Sequence, residues 1–107
     1  MIEREGGESK EIPLPSENEG TLVCVVRRIV GAGFAEVVCT DNEIYMARIP
    51  GKMRRKVWIK EGDVVLFMPW GTRDKKGEIL HKYEKSDIKT LIESGVLPEE
   101  LLEVAQS

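Results

Sequence analysis

The sequence predicts a mainly β protein, a five-stranded barrel followed by short α-helices. Residues 21–83 divide into five short runs rich in β-branched residues, separated by Gly, Pro, Asn and Asp. A Pro-Gly pair and a cationic stretch interrupt these runs after the third. Beyond Tyr83 the apolar spacing changes from the strand period to the helical one. With 107 residues, 41% of them hydrophobic, the chain has the size of one domain with a small core. That size excludes a multi-domain enzyme and a large barrel or sandwich built around a cofactor crevice.

The elements follow in order. Residues 1–19 are polar, contain Gly6, Gly7, Pro13 and Pro15, and offer little apolar surface, so they are expected to form a flexible N-terminal arm. Thr21–Val30 reads as a long first strand, and Gly31-Ala32-Gly33 as a turn. Phe34–Thr40 is the second strand, and Asp41-Asn42 is a hairpin turn that tolerates positive φ. Glu43–Ile49 is the third. Pro50-Gly51 breaks the sheet, after which Met53 and Val57, with Ile49 before them, allow one helical turn with its apolar side on the barrel. Val64–Met68 is a continuous apolar run of the kind found in buried strands, residues 71–77 a polar loop, and Glu78–Tyr83 the fifth strand.

Ser86 is a candidate N-cap for a first C-terminal helix that carries Ile88, Leu91 and Ile92 and stops at Gly95. A second helix is expected from Pro98, with Glu99 and Glu100 beside its positive end. Five strands with a helical turn between the third and fourth fit the Greek-key barrel of the oligonucleotide-binding (OB) fold. The chain is thus divided into an arm over 1–19, an OB domain over 20–83 and a helical extension over 84–107.

Net charge is −3, which by itself argues against a basic nucleic-acid binder. Its distribution argues the other way. Residues 1–20 and 84–107 each hold six acids and two bases. Residues 48–60 hold six bases, Arg48, Lys52, Arg54, Arg55, Lys56 and Lys60, and no acid. A one-sign segment in an acidic chain reads either as a solvated charged loop or as the local footprint of a polyanion-binding site.

Within that segment Trp58 follows Arg54-Arg55-Lys56 by two positions. Long cations suit phosphates, and a flat indole can stack on an unpaired base. Trp58 could equally be a core anchor covering the barrel end, and Trp70, beside Pro69, is read as core or rim packing. Tyr45 and Arg48 on the preceding strand are expected to border the same surface. Arg27 and Arg28 interrupt the first strand and cannot both face the core, so Arg28 joins the candidate RNA-binding set.

Enzymatic readings find little support. There is no Ser-His-Asp set and no Walker loop, and Gly31-Ala32-Gly33 is only a fragment of a phosphate-binding fingerprint. Two cysteines and one histidine match no zinc signature, so neither metal nor cofactor is expected. The N-terminus lacks an apolar signal region, and no apolar run reaches membrane-spanning length, so a cytosolic protein is expected. In a reducing interior Cys24 and Cys39 are expected to be small apolar fillers on strands rather than a disulfide or a nucleophile.

The stretch from Arg48 to Leu66, Arg-Ile-Pro-Gly-Lys-Met-Arg-Arg-Lys-Val-Trp-Ile-Lys-Glu-Gly-Asp-Val-Val-Leu, closely resembles the signature of the translation initiation factor 1A family, counterpart of bacterial initiation factor 1. The resemblance extends from about Gly20 to Leu102 and includes Ile79–Tyr83 and the helix start at Leu97–Glu100. It implies a non-enzymatic, monomeric factor with the same barrel, bound at the aminoacyl-tRNA site of the small ribosomal subunit. Such a factor promotes subunit dissociation and initiator tRNA recruitment. The family's rRNA-binding positions map onto Arg54, Arg55, Lys56 and Trp58, with Lys52 and Lys60 as phosphate contacts by position.

The acidic arm and the end of the chain at Ser107 look archaeal, because the eukaryotic form has a basic N-terminal tail and a long acidic C-terminal one. The helices after Tyr83 argue against a bacterial assignment. They could dock on the barrel or receive a partner translational GTPase initiation factor. The runner-up is a generic single-stranded RNA chaperone of cold-shock type. Its exposed aromatic strand motifs are missing here.

Overall fold

Leu22–Val30 (β1) is apolar at almost every position of its first half because both of its faces are covered. The strands that follow are Phe34–Cys39 (β2), Ile44–Arg48 (β3), Val64–Pro69 (β4) and Lys76–Lys82 (β5). One short helix, Gly51–Lys56 (α1), joins β3 to β4, and Lys85–Glu93 (α2) and Glu99–Gln106 (α3) end the chain. The structure is a computed structural model that describes residues 12–16, 18–31, 33–56 and 59–106, with 54–56 and 104–106 described by their backbone alone.

β1 pairs antiparallel with β2 and β4, β2 with β3 and β4 with β5, and the parallel pairing of β3 with β5 closes the barrel. The order β1-β2-β3-β5-β4, with a helix between β3 and β4, is the OB topology expected. Alternation of side chains across each strand then builds two cores. Inside the barrel lie Cys24, Val26, Val37, Val65, Phe67 and Ile79, closed at one end by Ile49 and by Met53 of α1. Outside it, Val23, Val25, Val38, Val64 and Leu66 form a second apolar surface, which Leu91 of α2, Leu97 of the α2–α3 connection and Leu101 of α3 cover. The C-terminal helices therefore dock on the barrel.

Small residues thin the inner wall where β2, β3 and β5 meet. Ala35 lies opposite Ala47, and Ala47 opposite Gly77, all buried. A Cβ at Gly77 would come within 2.5 Å of Phe67 Cζ and closer still to the Met68 carbonyl oxygen, so only glycine leaves room there.

Three local readings are corrected. Cys24 and Cys39 are directly opposed on β1 and β2 and form a disulfide rather than separate fillers. The flanking Thr40 N–H reaches Val23 O at 3.1 Å, which makes 24–39 a non-hydrogen-bonded pair, where facing side chains come closest. The first C-terminal helix begins before the expected cap. Glu84, not Ser86, precedes α2, and its N–H donates to the Asp87 carboxylate at 3.3 Å, an acid in the first turn drawing the helix start upstream. Pro98 stands just before α3 rather than as its first residue, and its carbonyl accepts the Leu101 N–H at 3.1 Å. The predicted stop holds: Gly95 has φ of 82° and closes the end of α2.

Of the residues expected to form an arm, 12–16 and 18–19 are described. Ile12 packs against the outer core, the Tyr83 hydroxyl donates to Pro13 O, and Ser16 N–H donates to Thr21 Oγ1 at 2.7 Å. Residues 1–11 lie outside the described residues.

Candidate nucleic-acid interface

The cationic segment is held by its apolar residues. Ile49 is buried, and its N–H donates to Gly33 O at 2.8 Å, tying the end of β3 to the β1–β2 turn. Met53 is buried in the barrel end, and Ile59 packs against the same core. With those side chains fixed inward, Arg48 and Lys52 are exposed. Arg54, Arg55 and Lys56 are carried on α1. Trp58, the proposed stacking residue, lies outside the described residues.

The chain leaves the segment through a tight return. Lys60 N–H donates to Asp63 Oδ2 at 2.8 Å, and the same carboxylate pairs with Lys82 at 3.4 Å. Gly62 N–H donates to Val26 O at 2.9 Å, and Val26 N–H to Asp63 O at 2.8 Å, which places the return beside β1. At that point β1 carries a bulge between Val26 and Arg28. An extra residue in one strand lets two consecutive side chains reach the same side. Arg27 and Arg28 both pair with Glu36, at 3.3 and 3.0 Å.

The structure thus brings Arg28, Arg48, Lys52, α1 and Lys60 to one end of the barrel. Among the described residues no carboxylate pairs with Arg48, Lys52 or Lys60, whereas Arg28 is already engaged by Glu36. Exposed cations without a carboxylate partner are free to meet phosphates.

Tyr45 is not part of that end. It stands near the start of β3, its ring 5.1 Å from that of Phe67 and its hydroxyl donating to Asp41 Oδ2 at 2.6 Å. The hydrogen bond to Asp41, burial and the nearby carboxylates of Asp41 and Glu43 push its pKa up to about 12. Lys75 lies 5.6 Å above the ring and pairs with Glu43.

Two exposed aromatics were not singled out from the sequence as contacts. Phe34 lies opposite Arg48 on the outer wall and is 37% exposed. Trp70 is 43% exposed, with its indole N–H donating to Glu78 Oε1 at 3.3 Å. The available signal was alternation along β4: Phe67 faces the core, so Met68 and Trp70 fall on the outer wall, and the Trp70 N–H still donates to Lys76 O of β5 at 2.9 Å.

An OB barrel with a cationic segment set across one end has the architecture of a nucleic-acid-binding module. Among the described residues no group of His, Cys, Asp and Glu is arranged to hold a metal, and no helix is long and apolar enough to cross a membrane. Comparison with known proteins gives the family. The family described as Translation initiation factor 1A / IF-1 matches residues 9–106. Translation initiation factor 1A of Aeropyrum pernix is 66% identical over 93 residues, which cover 87% of this chain and 84% of that protein. The protein of the same name from Desulfurococcus amylolyticus is 45% identical over 93 residues, 87% of this chain and 80% of that one. That of Pyrococcus abyssi is 41% identical over 99 residues, 92% and 86%. The solution structure of the translation initiation factor from the wolbachia endosymbiont of Brugia malayi aligns with a TM-score of 0.47 and 24% identity, over 66% of this chain and 85% of that one.

The chain belongs to the translation initiation factor 1A family and is a translation initiation factor, not an enzyme. Membership carries with it association with the small ribosomal subunit.

Proposed function

We propose that this factor docks on rRNA at the aminoacyl-tRNA site of the small subunit, with residues 48–60 as the docking element, and so promotes subunit dissociation and initiator tRNA recruitment. The observation that carries this reading is the anchoring of the segment. Ile49 and Met53 are buried in the barrel end, while Arg48 and Lys52 stay in water without ion pairs among the described residues. Anchoring of the segment at Ile49 and Met53 suits a structured RNA groove better than a loose charged loop, because less ordering entropy is lost on binding.

Arg54, Arg55, Lys56, Lys52 and Lys60 supply phosphate contacts, and Arg48 and Arg28 border them. Trp58 stacks on a base. Tyr45, near the start of β3 and packed against Phe67, stays outside this docking surface. The inner faces of α2 and α3 are committed to the barrel, so a translational GTPase initiation factor would meet their outer, acidic faces, where Glu93, Glu99, Glu100 and Glu103 are exposed. A generic RNA chaperone of cold-shock type does not account for the family match over residues 9–106.

The test is binding of the full chain to purified small subunits across a salt series. Arg54→Ala/Arg55→Ala/Lys56→Ala should weaken binding and reduce the slope of log K against log salt by about 2–3, for three lost phosphate contacts. Thermal stability should stay near that of the parent. Unchanged affinity and slope would overturn the reading.

A further inference from the structure

We propose that Trp70 is a second base-stacking contact, on the barrel wall outside the cationic segment, and that its ligand is an unpaired nucleobase of the bound RNA. The inference rests on the RNA-docking reading above and extends it to a residue the sequence assigned to packing.

The register supplies the geometry. Phe34 of β2 lies opposite Arg48 of β3, and Arg48 opposite Glu78 of β5. The neighbouring row, Ala35, Ala47 and Gly77, is fully buried, so Phe34, Arg48 and Glu78 form a row on the outer wall. Adjacent strands are about 4.8 Å apart, which makes the row a continuous strip. The Trp70 indole N–H donates to Glu78 Oε1 at 3.3 Å and joins the indole to the end of that strip. Arg48 belongs both to the strip and to the cationic segment, so the two surfaces are continuous.

Single exposed apolar residues are ordinary on protein surfaces. Trp70 differs in that its one polar atom is already satisfied on the wall. The bond restrains the edge of the indole, and 43% of the residue remains open to solvent. A restrained, accessible indole can stack on a base with little loss of side-chain freedom. Its loop carries Arg73, Lys75 and Lys76 against Asp74. Lys75 is paired with Glu43 and Lys76 with Asp74, which leaves Arg73 of the loop and Arg48 of the strip as the cations without an ion pair among the described residues. Two such cations flanking an aromatic plate favour a polyanion that carries flat rings over an apolar protein surface.

The experiment measures binding of the full chain to purified small ribosomal subunits and to protein-free small-subunit rRNA. Trp70→Ala should weaken both by about 5- to 150-fold, the range for one lost stacking contact. The salt slope should stay at the parental value, because no charge is lost. Trp70→Phe, which keeps a ring, should recover most of the affinity, and the melting temperature of each variant checks that the fold is intact. Parental affinity in a folded Trp70→Ala chain would overturn the proposal. So would a loss confined to whole subunits with rRNA binding unchanged, which would make the partner of Trp70 a protein. If the Arg54/Arg55/Lys56 variant loses binding while Trp70→Ala does not, this proposal falls and the docking reading stands. If the triple variant binds normally, the docking reading itself fails.

Discussion

The Phe67 ring and the Met68 carbonyl oxygen both crowd the place a Cβ would take at Gly77, and the Pro69–Gly77 pairing of β4 with β5 holds that carbonyl in place. A flexible side chain could move aside for an added methyl, but a ladder carbonyl cannot. Gly77→Ala is therefore expected to destabilise the protein by about 1–3 kcal/mol or more, measured by urea unfolding. Cys24 and Cys39 make the opposite kind of contribution, a covalent link in the inner core across 15 residues of sequence. Closing a loop of that length restricts the unfolded chain by about 3 kcal/mol in the entropic account. A chain unfolded in urea with a thiol reductant should lose stability of that order relative to the oxidised chain, and Cys24→Ala/Cys39→Ala should show no reductant dependence. Both cysteines are fully buried, so reduction of the native protein should be slow and limited by opening of the β1–β2 hairpin.

At the scale of elements, α2 and α3 serve as the second wall of the domain. β1 and β4 have apolar side chains on both faces, and the barrel interior can use only one of them. Leu91 is completely buried where α2 covers that outer surface. Leu91→Ala should cost about 2–5 kcal/mol in thermal or urea unfolding. Well below the unfolding transition its salt slope for small-subunit binding should match the parent, because the helices cover the opposite function of the barrel from α1: one closes a core, the other presents charge.

For the molecule as a whole, the two tyrosines set how stability responds to alkali. Burial, and then the Asp87 carboxylate, push the Tyr83 pKa up to about 12, and Tyr45 reaches about 12 chiefly through its hydrogen bond to Asp41. The ordinary value in an unfolded chain is about 10. Between these values the folded chain keeps phenolic protons that the unfolded chain has released, so stability falls as pH rises. The tyrosine contribution is therefore fully present below pH ~10 and is lost between pH ~10 and ~12. Tyrosinate absorbance should show both residues titrating near 12 in the folded protein. Tyr45→Phe should halve the amplitude of that transition and make unfolding stability fall less steeply over the same interval.

The elements whose cause is local were legible along the chain. Five strands, the break at Pro50-Gly51, the helical stop at Gly95 and the positive φ at Asn42 all follow from side chains acting on their own backbone, and each is present. The cationic segment was legible for the same reason, since charge along thirteen consecutive residues needs no fold to be counted. The family, too, could be read from one contiguous motif. The remaining features depend on which strands become neighbours. Cys24 meets Cys39 because of the β1–β2 register, and Arg27 and Arg28 share Glu36 because a bulge falls between Val26 and Arg28. Tyr45 sits toward the wrong end of β3 to join α1, although it is only three residues from Arg48. Trp70 reaches Glu78 because the β4–β5 register sets Met68 opposite Glu78 on the outer wall. Side-chain alternation is a property of one strand, whereas the partner across the sheet is set by barrel closure, which couples residues far apart in the chain.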